Sequence, residues 1–224
     1  MGVSEQISEM FINSVNGMTP DLDKLYIGSK DYDLGDWRVQ QNSMVTVSGG
    51  ASVVIPGVHV AGLVADAAFV LNRMRVATYG VGAILGSRAG LDNILEPEDF
   101  AAVLGYWADD KSIQEAMKGK GAAELSSKVL IKSGAKILGK GYVKGLTKVM
   151  LTSSGYLIGQ KVGGKAIAKS AAKFAGKFGG KLIGGFVPFV GPIVGGGINL
   201  WLLNGIINAA EQFYRDKVKL IEKM

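Results

Sequence analysis

The sequence predicts an all-α protein, a compact helical bundle with a glycine-rich apolar hairpin near the C-terminus. Three patterns carry that expectation. Lysine and small residues recur every four positions across 128–184, the spacing of neighbours on one helix surface. Residues 58–85 are apolar nearly all round, as in a buried helix. Residues 182–210 carry no charged side chain but contain Pro188, Pro192 and seven glycines. That run is long enough to cross a bilayer of ~30 Å. Its prolines and glycines favour a buried or re-entrant helical hairpin over one straight spanning helix.

Taken in order, residues 3–18 place Ile7, Met10, Phe11 and Val15 on one side of a short helix. The run Met18-Thr19-Pro20-Asp21 marks a turn and a helix start, with Thr19 able to cap and Pro20 suited to the first helical position. Residues 31–37 are polar around a glycine and read as a loop or a short helix end. Residues 39–57 mix strand-forming Val45, Val47, Val53, Val54 and Ile55 with the small run Ser48-Gly49-Gly50-Ala51-Ser52. Periodicity alone does not decide such a segment; helical context on both sides favours helix.

Pro56-Gly57 punctuates the chain before the apolar helix of 58–85. Asp66, Arg73 and Arg75 are the only charges in that helix. Asp66 and Arg73 lie two turns apart, so they share a face without touching directly. They are candidates for buried ion pairs, and one of them needs another partner. Tyr79-Gly80 and Gly82 should weaken the end of this helix. A new helix starts around Pro97, with Glu98 and Asp99 complementing its dipole, and runs to about Trp107. A second short one follows near 112–118. Lys118-Gly119-Lys120-Gly121 is a flexible joint. It divides an acidic helical half, 1–120, from a lysine- and glycine-rich half, 121–224, the two forming one integrated domain.

Lysines then stand at 128, 132, 136, 140, 144 and 148, and again at Lys161, Lys165, Lys169, Lys173, Lys177 and Lys181. Small residues keep the same spacing, as Gly155, Gly159 and Gly163, then Gly176, Gly180 and Gly184. A step of four advances about 400° around a helix, a drift of about 40° per step. Five steps swing the lysines through about 200°, so a straight helix does not keep them on one face. Some should therefore face the acidic half. The glycine rows suit close GxxxG-type helix crossings. Phe174, Phe178, Leu182 and Phe186 form an aromatic and aliphatic row beside the lysines. The last helix, about 197–223, starts with Ile198, Trp201, Leu202 and Gly205 and finishes in a charged, exposed end.

Composition narrows the chemistry. The chain of 224 residues has 33 glycines, no cysteine and one histidine, His59. Disulfides, thiolate metal sites, cysteine nucleophiles and paired-histidine metal sites are therefore excluded. Serine-histidine triads and zinc hydroxide chemistry have no familiar parts here. Asp66 is the best candidate acid, but an ion pair inside a bundle is the stronger reading of it. Gly195-Gly196-Gly197 and Ser48-Gly49-Gly50 lack the Lys-Ser/Thr ending of a phosphate-binding loop. No enzyme, cofactor or metal is expected.

The net charge of +6 is unevenly distributed. Residues 1–124 carry nine Lys/Arg against sixteen Asp/Glu, residues 125–210 carry twelve lysines and no acid, and residues 211–224 carry four Lys/Arg against three Asp/Glu. A basic segment of this kind implies an anionic partner or neutralisation by the acidic half. Nucleic acid fits poorly, because the segment holds no arginine and no base-reading motif. Anionic membrane lipids fit better. Lys161, Lys165, Lys169, Lys173, Lys177, Lys181, Phe174, Phe178, Phe186 and Trp201 are the expected lipid contacts. Gly155, Gly159, Gly163, Gly176, Gly180, Gly184, Pro188, Gly191, Gly195 and Asn199 are the expected helix-packing positions. The expected function is membrane or lipid association, with insertion into or permeabilisation of the bilayer. The competing class is a soluble assembly protein that forms homo-oligomers through its glycine rows.

Residues 55–80, running from Ile55-Pro56-Gly57 through the apolar helix to Tyr79-Gly80, resemble the EcsC-like family of bacterial helical proteins. Residues 187–201 (VPFVGPIVGGGINLW) are similar to that family's Pro-x-x-Gly-x-x-x-Gly-x-x-x-Asn signature, which falls here on Pro188, Gly191, Gly195 and Asn199. The resemblance covers residues 40–215. It implies a mostly helical, membrane-associated protein without a defined enzymatic activity, peripheral to the membrane on its cytoplasmic side or delivered to a target membrane as an effector. The lysine rows are more regular than the family pattern and suit a membrane-permeabilising role.

Overall fold

A computed structural model describes residues 3–16, 20–51, 59–118, 157–158, 161–162, 165–184 and 190–223. Those residues form α1 (Val3–Asn16), α2 (Leu22–Ser29), α3 (Leu34–Ala51), α4 (His59–Arg88), α5 (Asp99–Trp107) and α6 (Lys111–Lys118). After them come a two-residue antiparallel pairing of β1 (Leu157–Ile158) with β2 (Lys161–Val162), then α7 (Lys165–Gly184) and α8 (Val190–Glu222). The protein is an all-α bundle. The lysines at 128–148 and Gly155, Gly159, Gly163, Phe186 and Pro188 lie outside the described residues. Lys161 falls in the short β pairing, where helical spacing had been expected.

α8 is the axis of the bundle. Its 33 residues span about 50 Å at 1.5 Å per residue. It packs chiefly against α3 and α4, and also against α5, α7 and α6. Its buried positions Leu202, Leu203, Ile206, Ile207, Ala210, Phe213, Tyr214, Lys217 and Leu220 follow the three-and-four spacing of one helix face. Pro192 does not break this helix. It sits in the first turn, where its missing N–H has no intrahelical acceptor to lose.

The seam between α3 and α8 is polar and antiparallel. Arg38 donates to Asn208 Oδ1 at 2.8 Å and pairs with Glu211 at 2.6 Å. Asn42 donates to Asn204 at 3.2 Å, and Asn199 donates to the Val45 carbonyl at 3.1 Å. The ambiguous segment from 39 is thus helical as far as Ala51, and α3 begins already at Leu34. Asp33 starts it by accepting the Gly35 N–H at 2.7 Å and the Arg88 guanidinium at 2.8 Å. At the start of α2, Asp21 is the cap, accepting the Lys24 N–H at 3.0 Å; Pro20 lies before the helix, not in its first position.

Glycines in α4 do not weaken its end. A Cβ at Gly80 would lie 2.1 Å from the Trp37 ring, and one at Gly82 would lie 2.3 Å from the Tyr214 ring. These glycines admit large aromatics from α3 and α8, and the helix continues to Arg88. It closes at Gly90, whose φ of +68° lets the Leu91 N–H reach back to the Gly86 carbonyl at 3.0 Å.

Candidate functional site

α7 divides cleanly between two sides. Ser170, Ala171, Phe174 and Ala175 are buried, while Ala168, Lys169, Ala172, Gly176 and Lys177 are exposed. The buried side is fixed by chemistry on both flanks. Phe174 meets Phe11 of α1 with ring centroids 5.1 Å apart. The Ser170 hydroxyl donates to the Leu104 carbonyl of α5 at 3.0 Å. Phe174, expected as a lipid contact, is therefore a core residue at 0% exposure. Its place four residues after the buried Ser170 already puts it on the inward row.

Lys173 marks the border between the two sides. Its ammonium donates to the Trp107 carbonyl at 3.2 Å, at the C-terminal end of α5. There it offsets the negative end of that helix. It also lies 4.3 Å from the Trp107 ring centroid and 5.4 Å from that of Trp201. Burial lowers its proton affinity, and the neighbouring charges of Lys169 and Lys177 lower it further. Lys177 sits 4.6 Å over Trp201. Trp107 is buried and meets Trp201 in a tilted pair with ring centroids 6.3 Å apart, while Trp201 remains 44% exposed.

The result is an outward surface of two exposed lysines, Lys169 and Lys177, small apolar positions between them, and one large indole from α8. A compact cationic rim over an amphipathic ring attracts anions electrostatically and takes apolar groups at the indole face. Lys169 also acts across the boundary between the halves. Asp109 is held below the usual carboxylate range by hydrogen bonds from Lys111 and Gln114, and the Lys111 and Lys169 charges add to this.

Lys161, Lys165 and Lys181 lie in β2 and α7, Phe178, Gly180 and Gly184 in α7, and Gly191 and Gly195 in α8. Their side-chain surroundings lie outside the described residues. Gly176 is exposed, and a Cβ there meets nothing within 4 Å among the described residues. Asn199 is buried and packs α8 onto two helices, donating to Val45 of α3 and to Asp66 of α4 at 3.2 Å. Asp66 is thus partnered by Asn199, and Arg73 by Gln41 of α3; the two do not meet each other.

A second polar cluster was not anticipated. Lys217 is 0% exposed, although the sequence suggested a charged, solvated helix end. Its ammonium lies 2.8 Å from Asp99 and 3.0 Å from Glu96. The other Asp99 oxygen accepts the Tyr214 hydroxyl and the Glu96 N–H, both at 2.9 Å. Tyr79 donates to the Pro97 carbonyl at 2.8 Å, closing the same turn. Burial alone would depress the Lys217 ammonium, but the Asp99 and Glu96 charges and hydrogen bonds raise it above its ordinary value. One signal in the sequence could have revealed it. Ile206, Ala210, Phe213, Lys217 and Leu220 form one continuous helical stripe, and Lys217 is its only charged member. Fully enclosed, this cluster joins α8 to the α5 entrance and offers no approach to a substrate.

Among the described residues no helix is long and apolar enough to cross a membrane, and no group of metal-ligating side chains gathers. No family model, curated protein or solved structure matches the chain.

Proposed function

We propose that the protein associates peripherally with anionic membranes, meeting them through the outward side of α7 and through Trp201. The observation that carries this reading is the exposed indole of Trp201 with the Lys177 and Lys173 ammonium groups 4.6 and 5.4 Å from its ring. Lysine beside tryptophan is the side-chain pairing of a membrane interface: the indole lodges at headgroup depth and the ammonium groups meet lipid phosphate. The resemblance of residues 55–80 and 187–201 to the EcsC-like family agrees with a membrane-associated helical protein. Surface binding suits this chain better than a spanning α8. The apolar run of α8 includes Asn199, Asn204 and Asn208, each tied to α3. Drawing it into hydrocarbon would strand those amides.

Flotation with anionic and neutral vesicles tests the reading. Lipid-surface lysines contribute about 1 kcal/mol each. Lys169→Ala with Lys177→Ala should therefore weaken anionic-vesicle binding by roughly 30-fold. Wild-type protein that floats with neither vesicle type at low salt would refute it. Dye release from the same vesicles reports permeabilisation.

The exposed row Ala168, Ala172, Gly176 favours a second reading, in which α7 docks on a second copy through close small-residue packing. A salt-insensitive oligomer in light scattering, dissociated by Gly176→Leu, would establish that reading.

A further inference from the structure

The far end of α8 holds a cleft separate from the α7 surface. It lies between the end of α6 and the last turns of α8, encloses about 240 Å³, and is lined by Met117, Lys118, Asp216, Lys219, Leu220 and Lys223. Met117 and Leu220 are buried and form an apolar floor. Lys118, Lys219 and Lys223 are exposed at the rim. None of the three makes an ion pair or a side-chain hydrogen bond among the described residues. They contrast with Lys30, Arg38, Arg88, Lys111, Arg215 and Lys217, which form ion pairs elsewhere among the described residues. Asp216 is the one carboxylate in the lining. Tyr106 of α5 donates to it at 3.0 Å, holding it at the wall.

We propose that this cleft binds a phosphomonoester on a short polyol, its phosphate taken by Lys118, Lys219 and Lys223 and its carbon skeleton laid over Met117 and Leu220. Charge matches first. Three ammonium groups and one carboxylate leave a formal surplus of two positive charges, and a phosphomonoester carries about −1.5 to −2 near neutral pH. Part of the lysine charge offsets the negative C-terminal ends of α6 and α8, so binding is modest in strength. Polarity matches next. The Asp216 oxygens, which Tyr106 only partly occupies, accept from a ligand hydroxyl beside the phosphate. Size sets the limit, because the cleft falls below the ~300–1,000 Å³ that encloses a whole drug-sized ligand. It admits a headgroup or a small metabolite and leaves acyl chains outside.

The phosphomonoester is free in solution or is the headgroup of a lipid, and position allows both. Lys219 follows Trp201 by eighteen residues, five full turns, so the two share one side of α8 about 27 Å apart.

The Met117 methyl resonance, followed while glycerol 3-phosphate is added to the full chain with glycerol as control, tests the site directly. It should move with glycerol 3-phosphate and not with glycerol. Lys118→Ala with Lys219→Ala should weaken that binding about tenfold, whereas Lys169→Ala with Lys177→Ala, on the α7 surface, should leave it unchanged. A parallel arm uses neutral vesicles doped with phosphatidic acid, a phosphomonoester, or with phosphatidylglycerol, a diester. Selective loss of phosphatidic acid binding in the Lys118/Lys219 variant identifies a lipid headgroup. A response confined to glycerol 3-phosphate identifies a free ligand. A Met117 resonance that glycerol 3-phosphate does not move, with phosphatidic acid binding unchanged in the Lys118/Lys219 variant, or a resonance that moves equally in that variant, overturns the site. Neither result bears on membrane binding by α7, which the Lys169/Lys177 variant reports separately.

Discussion

Lys217 shows most sharply how single residues settle this structure. Its ammonium bonds two carboxylates in a fully enclosed site, and the hydroxyl of Tyr214 and the N–H of Glu96 complete the shell around Asp99. Removing the cation leaves Glu96 and Asp99 buried without it. Lys217→Met should therefore destabilise the protein by about 3–5 kcal/mol, measured by urea unfolding. Replacing Glu96 and Asp99 by Gln and Asn in the same chain should recover much of that loss. The cluster also sets a response to base. Burial raises the hydroxyls of Tyr79, Tyr106 and Tyr214 above the ordinary tyrosine range, and negative neighbours add to the effect. Lys217 is likewise raised. All four groups keep their protons in the folded state after the unfolded chain has begun to lose them. Stability is then full below about pH 10 and falls as pH rises beyond the ordinary tyrosine and lysine values. Melting temperatures should decline across that range, and Tyr214→Phe should soften the decline.

At this scale the sequence was only partly legible. Asp99 read correctly as a helix-start residue complementing the dipole, but its ion-pair partner, 118 positions away, was not legible. Of Asp66 and Arg73 one was expected to need another partner, and Asp66 accepts from Asn199, 133 positions along the chain. Spacing along one helix exposes a charged residue on an apolar stripe, as it does for Lys217, but does not say which distant residue answers it.

Glycines sort the elements. Gly80 and Gly82 of α4 make room for aromatics, whereas Gly176 of α7 faces open space among the described residues. Opposite outcomes follow for one substitution. Gly82→Ala drives a Cβ into the Tyr214 ring and should cost about 1–3 kcal/mol by overpacking. Gly176→Ala should stabilise by roughly 0.5–1 kcal/mol through helix propensity alone. Thermal denaturation of both variants checks the contrast.

Four-residue spacing identified α7 as a helix, and apolar coverage identified α4. Neither pattern distinguishes a glycine that lets a neighbour in from one that only lacks a side chain, since that depends on what the other helix brings. The three lysines of α7 whose side chains are described do not trace the expected steady drift: Lys173 turns inward onto Trp107 while Lys169 and Lys177, on either side of it, stay exposed. Pro192 shows the same limit. Proline reads as a break when the helix start is unknown and as a first-turn residue once it is known.

Across the whole molecule the acidic and basic halves interlock. α8, from the basic half, lies along α3 and α4 and receives Arg38 at Glu211 and Asn208, while α7 is pinned to α5 through Ser170 and Lys173. Among the described residues, the charge division along the chain does not keep the helices of the two halves apart. Among the outward groups of the described residues are Lys169, Lys177 and Trp201 at one place and the Lys118, Lys219 and Lys223 rim at another. Binding to anionic vesicles through these groups should fall with ionic strength, because exposed charges are screened within about 10 Å at 0.1 M salt. Co-sedimentation across a salt series checks that dependence.

Trp201 offers the most direct test of membrane contact, because Trp37 and Trp107 are buried and Trp201 alone of the three tryptophans is substantially exposed. Its emission should shift to the blue when anionic vesicles are added, should not shift with neutral vesicles, and should show no lipid response in the Trp201→Phe variant. An emission spectrum unchanged by anionic vesicles at low salt, or an equal shift in Trp201→Phe, would contradict contact through this surface.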